Sequence, residues 1–208
     1  MYYSGIGSRA TPRHICDIMT EIGMYFGRNN ITLRSGGASG ADMAFELGCA
    51  TIKGPKQIFF PWRKFNGRDS YECNNMCLSD KLLNIKSATA YAIKVWSLRN
   101  MPVSWNSLKD TTKLMMIRNS FQIMGPLMNS PTDLVICYTP DGQASGGTGQ
   151  AIAMADFITK SKKTDIIIPI INLQQEKHLS VIKEVLKGLD IQSFISTVKE
   201  GLYKQYKA

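Results

Sequence analysis

The sequence predicts an α/β protein with a Rossmann-like, mostly parallel sheet covered by helices on both faces. Three observations carry this reading. Short apolar or β-branched runs alternate with helix-period segments along the chain, three of these runs end in glycine-rich turns, and 133–138 reads as a strand buried on both faces.

The elements follow in order. Residues 2–6 form a strand running into Gly5-Ile6-Gly7, and Pro12 opens a helix whose apolar face is Ile15, Ile18, Ile22 and Phe26. A second strand, 31–34, stops at Ser35-Gly36-Gly37, and Gly40-Ala41-Asp42 starts a helix through Phe45 and Leu47. A third strand, 57–60, is closed by Pro61-Trp62, and the polar stretch 63–75 is a loop or insertion. Helices are expected over 80–98 and 108–124, parted by Asn100-Met101-Pro102. After strand 133–138 come the glycine-rich residues 141–149, a helix over 150–159, a strand over 166–171, and helices over 176–188 and 191–204. This is one domain over 1–208, with a basic helical insertion at about 63–125 and closing helices at about 174–204.

A chain of 208 residues buries about two-thirds of its surface, which excludes a peptide hormone or a disulfide-stapled miniprotein. No apolar stretch approaches the roughly 20 residues of a membrane span, and the start lacks the pattern of a secretory signal, so a cytoplasmic protein without membrane partners is expected. Five cysteines fit free thiols better than a disulfide framework. Only Cys73 and Cys77 are close together, and His14 and His178 lie far from them, so neither a metal site nor a resident cofactor is expected.

The formal charge is +9, and its distribution is uneven. Residues 53–118 hold twelve Lys or Arg against four acids, while the remainder holds thirteen against twelve. Such a segment attracts a polyanion, a nucleotide or an anionic lipid, or serves as a solvated basic surface.

In an open parallel sheet, ligands bind beyond the carboxyl ends of the strands, where helix N-termini present their amides. Three strand ends carry small residues suited to that approach: Gly5-Ile6-Gly7-Ser8-Arg9-Ala10, Ser35-Gly36-Gly37-Ala38-Ser39-Gly40, and Ser145-Gly146-Gly147-Thr148-Gly149. The first fits the dinucleotide fingerprint formally, but the second strand ends in Arg34 where a ribose-binding acid belongs, which disfavours a standard NAD-dependent dehydrogenase. No loop continues into the Gly-Lys-Ser or Gly-Lys-Thr of an ATP-hydrolysing P-loop.

Arg9, Arg34 and Arg118 are the candidate anion ligands, because a guanidinium grips phosphate through paired hydrogen bonds. Arg118 and Asn119 follow the apolar Leu114-Met115-Met116-Ile117, so this arginine needs an acid or a ligand as partner. Asp42 and Glu46, near the start of one helix, are candidate catalytic carboxylates, the alternatives being a helix cap and a salt-bridge partner. Trp62, Trp96, Trp105, Tyr71 and Phe65 are interspersed with Arg63, Lys64 and Arg68, a mixture that suits base stacking, and of these Trp62 is expected to reach the pocket.

Taken together, Gly7-Ser8-Arg9, the run from Arg34 through Ser35-Gly36-Gly37 and Gly40 to Asp42, Arg118-Asn119, and Gly146-Gly147-Thr148-Gly149-Gln150 resemble the core of the DprA and SLOG superfamily, and most of all the short phage-type DprA-like proteins. The resemblance spans roughly 2–172. It implies a site at these residues for a nucleotide or nucleotide-derived phosphate ligand, to be sequestered or cleaved, as in phage counter-defence. It also implies two other activities: single-stranded DNA binding in support of a recombinase, as in DprA proteins, or the N-glycosidic cleavage of nucleoside monophosphates performed by the LOG branch. LOG enzymes share a Pro-Gly-Gly-x-Gly-Thr-x-x-Glu loop, where this chain has Ser145, Gln150 and Ala153 in place of the proline, the second threonine and the glutamate. Relatives of this kind often form dimers through core helices, so a homodimer or higher homo-oligomer is expected.

Overall fold

A computed structural model describes residues 1–68 and 75–206. Its sheet has six strands, all parallel: β1 (Tyr2–Gly7), β2 (Thr32–Ser35), β3 (Lys56–Phe60), β4 (Asn75–Cys77), β5 (Leu134–Tyr138) and β6 (Ile170–Asn172). Seven helices cover it: α1 (Arg13–Arg28), α2 (Ala41–Thr51), α3 (Ile85–Leu98), α4 (Asp110–Met124), α5 (Gly146–Lys160), α6 (Glu176–Leu186) and α7 (Ile191–Tyr206). The α/β class is as the alternation of runs predicts.

The strand order β4-β3-β2-β1-β5-β6 reverses direction at β1. From β1 the chain steps outward through β2, β3 and β4, then returns to lay β5 on the other side. The gap beyond the ends of β1 and β5 is therefore the topological switch point, where connections leave in opposite directions and open a crevice. Every residue of β5 is buried, as a central parallel strand requires.

Two apolar layers flank the sheet. One joins α1, α2, α6 and α7 around Phe26, Phe45 and Phe60, and the other joins α3, α4 and α5 around Phe59, Phe121 and Met154. Helices α1 and α2 meet where Gly23 faces the Phe45 carbonyl and Gly48 faces the Thr20 carbonyl; a Cβ at either position would overlap that backbone. The close fit fixes where the N-terminus of α2 emerges.

Four boundaries differ from the sequence expectation. Strand β6 begins at Ile170, not 166, because Pro169 has no N–H for the ladder, although its carbonyl still accepts from Val135. Helix α5 begins at Gly146, so half of the expected glycine loop is its first turn. Helix α3 begins at Ile85, where the Asn84 side chain caps it by accepting from the Ser87 amide. Within the expected insertion, 75–77 joins the sheet as edge strand β4, and α4 is a core crossover helix. Cys73 and Tyr71 lie outside the described residues, while Cys77 is buried. Among the described residues no helix is long and apolar enough to cross a membrane, and no His, Cys, Asp and Glu cluster suits a metal ion.

Candidate functional site

A cavity of about 490 Å³ lies at the switch point. Ile6, Gly7, Ser8 and Arg9 line it from the end of β1, and Thr139 and Pro140 from the end of β5. Ser145, Gly146, Gly147 and Thr148 bring in the start of α5, Ala38 and Asp42 the start of α2, and Met115, Met116, Arg118, Asn119 and Gln122 one face of α4. The first and third glycine loops are thus brought together, and the second contributes only Ala38 and Asp42.

Asp42 is the internal hub of this arrangement. It is 3% exposed. Its Oδ1 accepts from the Gly7 amide at 3.2 Å; its Oδ2 accepts from the amides of Gly36 (3.2 Å) and Ala38 (3.4 Å) and from Arg118 Nη1 at 3.4 Å. Burial raises its pKa, against the pull of Arg118 and the three amides. The Asp42 carboxylate therefore already engages the Gly7, Gly36 and Ala38 amides of the first two loops. Gly36 serves the same contact, since a Cβ there would overlap the Arg118 guanidinium. Gly37 lies against the Phe60 ring and Gly40 against the Ser8–Arg9 backbone. Among the second loop's residues, Ser35, Gly36, Gly37 and Gly40, expected to hold the ligand, are packing positions and do not line the cavity.

The third loop is different. Ser145 occupies the N-cap of α5 but does not cap it; its hydroxyl donates instead to Asp141 Oδ1 at 2.9 Å. The amides of Gly146, Gly147 and Thr148 have no acceptor among the described residues. Asn119 Nδ2 donates to the Gly147 carbonyl at 2.9 Å, tying this turn to α4. Gly149 and Gln150 are buried behind the turn, where Gln150 bonds Arg99 and the Ala92 carbonyl, so neither reaches the cavity. Tertiary packing uses the first side chain that turns inward along the helix.

Opposite the uncapped turn, Arg118 is 4% exposed and its Nε has no partner. Burial lowers its pKa, and the nearby charge of Arg9 lowers it further, against Asp42. One turn along α4, Gln122 is 1% exposed and its Nε2 also lacks a partner. Buried donors without acceptors are costly in a native structure; both side chains line the cavity, and these two atoms lie behind its surface. Arg9 is exposed at the rim and makes no hydrogen bond or ion pair with the described residues. With two guanidiniums against one carboxylate, the lining carries a positive surplus.

No family model, curated protein or solved structure matches the chain.

Two expected site residues lie elsewhere. Arg34 is buried beside the end of α4, away from the cavity, where its Nε donates to Gln57 Oε1 at 2.8 Å, its Nη1 donates to the Ser130 carbonyl, and its guanidinium lies 3.8 Å from the Tyr2 ring centroid. Burial brings its pKa down to about 10. Glu46 is held by Arg68 through two hydrogen bonds of 2.6 Å and by Lys56 at 3.0 Å, a salt-bridge cluster outside the cavity. Burial pushes the Glu46 carboxyl up, but hydrogen bonds from the two cations outweigh it and leave the pKa lowered. Trp62 does not line the cavity; it lines a groove beside it. The cavity-lining Gln122, Thr139, Met115 and Met116 escaped sequence reasoning. The signal for Gln122 was present: it sits four residues after Arg118 on an otherwise apolar helix face.

Proposed function

We propose that this protein binds a nucleotide or nucleotide-derived phosphate compound in the switch-point cavity and holds it without cleaving it. The observation that carries the reading is the pairing of two unmet needs across one cavity. The first turn of α5 offers amides with no acceptor, and the Arg118 side chain, whose buried Nε has no partner, lines the same space. A phosphate oxygen satisfies the amides, the guanidinium supplies an opposite charge across from it, and the helix N-terminus favours it as well.

Holding without turnover follows from the carboxylates. General acid–base cleavage of a glycosidic bond needs an acid free to move a proton. Asp42 is the one carboxylate lining the cavity among the described residues, and four hydrogen bonds engage it. Ala153 stands where the resembling LOG loop has its glutamate. The likeness to SLOG proteins supports a nucleotide as ligand, and the basic middle of the chain supports single-stranded DNA binding less well, because Lys56, Arg68, Lys113 and Arg118 pair with acids of the protein itself.

The test is to purify the protein without denaturants, unfold it, and identify released compounds by mass spectrometry, with AMP and inorganic phosphate titrated calorimetrically into the emptied protein. A phosphorylated nucleoside compound in the extract, AMP binding with shallow salt dependence, and a roughly 30-fold loss in Arg118→Met are expected. Equal AMP affinity in Arg118→Met, or an affinity for single-stranded DNA that falls steeply with salt while AMP does not bind, would overturn it.

A further inference from the structure

A groove of about 540 Å³ adjoins the cavity and shares Arg9, Met115 and Met116 with it. Its outer wall is Trp62 and Phe65, and its opposite wall is Thr112 on α4. We propose that the groove is a second subsite taking a flat heterocycle, so that the ligand is a phosphate-linked compound with two ring systems, of the dinucleotide class; this rests on the cavity reading above.

Size, wall chemistry and the free charge between the compartments support it. Each compartment alone falls within the range of a small-molecule site, about 300 to 1,000 Å³, and together they exceed what one nucleotide needs. Trp62 is half-buried and packs edge-on against Phe65, with ring centroids 5.1 Å apart. Met115 and Met116 supply flexible, polarisable thioethers, which adapt to an aromatic face. Arg9 stands where the compartments join, with its guanidinium unengaged, as a linking phosphate would require.

The wall is also braced. The turn after Trp62 holds Lys64 at φ 57° and Asn66 at φ 55°, both left-handed, a conformation that costs free energy in a lysine. Two anchors keep it there: Asn66 Nδ2 donates to the Gly37 carbonyl at 2.8 Å, and Arg68 clamps Glu46. Strain held by surrounding contacts is characteristic of positioned binding loops. The clamp also gives Glu46 a role: it fixes the groove wall without touching a ligand.

The probes are AMP and the linear diadenylate pApA, titrated against wild type, Trp62→Ala and Trp62→Phe. Diadenylate should bind roughly tenfold more tightly than AMP, and Trp62→Ala should remove that advantage while leaving AMP affinity unchanged. Indole emission should respond strongly to diadenylate and weakly to AMP, and the extra response should vanish in Trp62→Phe, which keeps the packing on Phe65. Equal affinities for the two probes, an equal weakening of both in Trp62→Ala, or an emission response that survives in Trp62→Phe would overturn the second subsite while leaving the cavity standing. Failure of AMP itself to bind would remove both.

Discussion

The sheet and α4 bury two arginines between them, and the two are held in opposite ways. Arg34 is 1% exposed and Arg118 is 4% exposed. Arg34 is enclosed by neutral acceptors and a tyrosine ring, and it does not line the switch-point cavity. Arg118 has a carboxylate on one nitrogen, a methionine sulfur on another, and nothing on its Nε beside an open cavity. Buried charge by itself therefore does not identify a site. An unused donor on a side chain that also lines a cavity is the sharper sign: Arg118 has both, whereas the nitrogens of Arg34 are all taken up by the protein.

Removing each arginine gives the largest contrast. Arg118→Met leaves Asp42 as a buried charge without its counter-ion, for a loss of about 3 kcal/mol in unfolding free energy, together with loss of AMP affinity. Arg34→Met leaves the Ser130 carbonyl and Gln57 without their donor, for a loss of about 2 kcal/mol, with AMP affinity unchanged. Adding Asp42→Asn to Arg118→Met should recover stability but not affinity. Urea titrations paired with calorimetry check all three. A drop in affinity for Arg34→Met equal to that for Arg118→Met would erase the distinction.

A second contrast lies within α2, where two carboxylates one turn apart shift in opposite directions. Asp42 is raised, chiefly by burial, so the folded protein holds its proton more tightly than the unfolded chain does. Its contribution to stability is full below the unfolded value near 3.8 and is lost as pH rises through the folded pKa. Glu46 is lowered, so its contribution is full above the unfolded value near 4.5 and is lost as pH falls through the folded pKa. Urea midpoints measured from about pH 3 to 6 should thus show a smaller acid-side loss in Glu46→Gln than in wild type, and a steeper one in Asp42→Asn. Parallel curves for the two variants would contradict the opposing shifts.

The sequence showed the order of strands and helices because hydrophobic period and glycine turns are local signals. It also pointed to Arg9, Arg118, Asn119 and the Gly146–Thr148 turn. What it could not separate was a glycine that admits a ligand from one that admits the protein's own side chain. Gly36 and Gly147 look alike in sequence, yet one accommodates the Arg118 guanidinium and the other lines the cavity. That difference depends on a helix some 80 residues further along the chain. Arg34 misled for the same reason: the return of 124–132 beneath the sheet, with the Ser130 carbonyl, has no local signature.

The smallest expected effect tests the uncapped helix directly. A serine at an N-cap normally stabilises its helix by about 1 kcal/mol through a bond to the backbone ahead of it. Ser145 makes no such bond, and its hydroxyl donates to Asp141. Ser145→Ala should therefore shift unfolding free energy by less than about 0.5 kcal/mol, well short of an ordinary cap deletion. Asp141→Ala removes the acceptor of the Gln143 amide and the Ser145 hydroxyl together with a carboxylate near the start of α5; melting temperature should fall slightly while phosphate affinity rises severalfold, because a negative charge beside the donors is gone. A full cap-sized loss in Ser145→Ala would mean that the amides at the start of α5 are already satisfied, and that half of the cavity's unmet need does not exist.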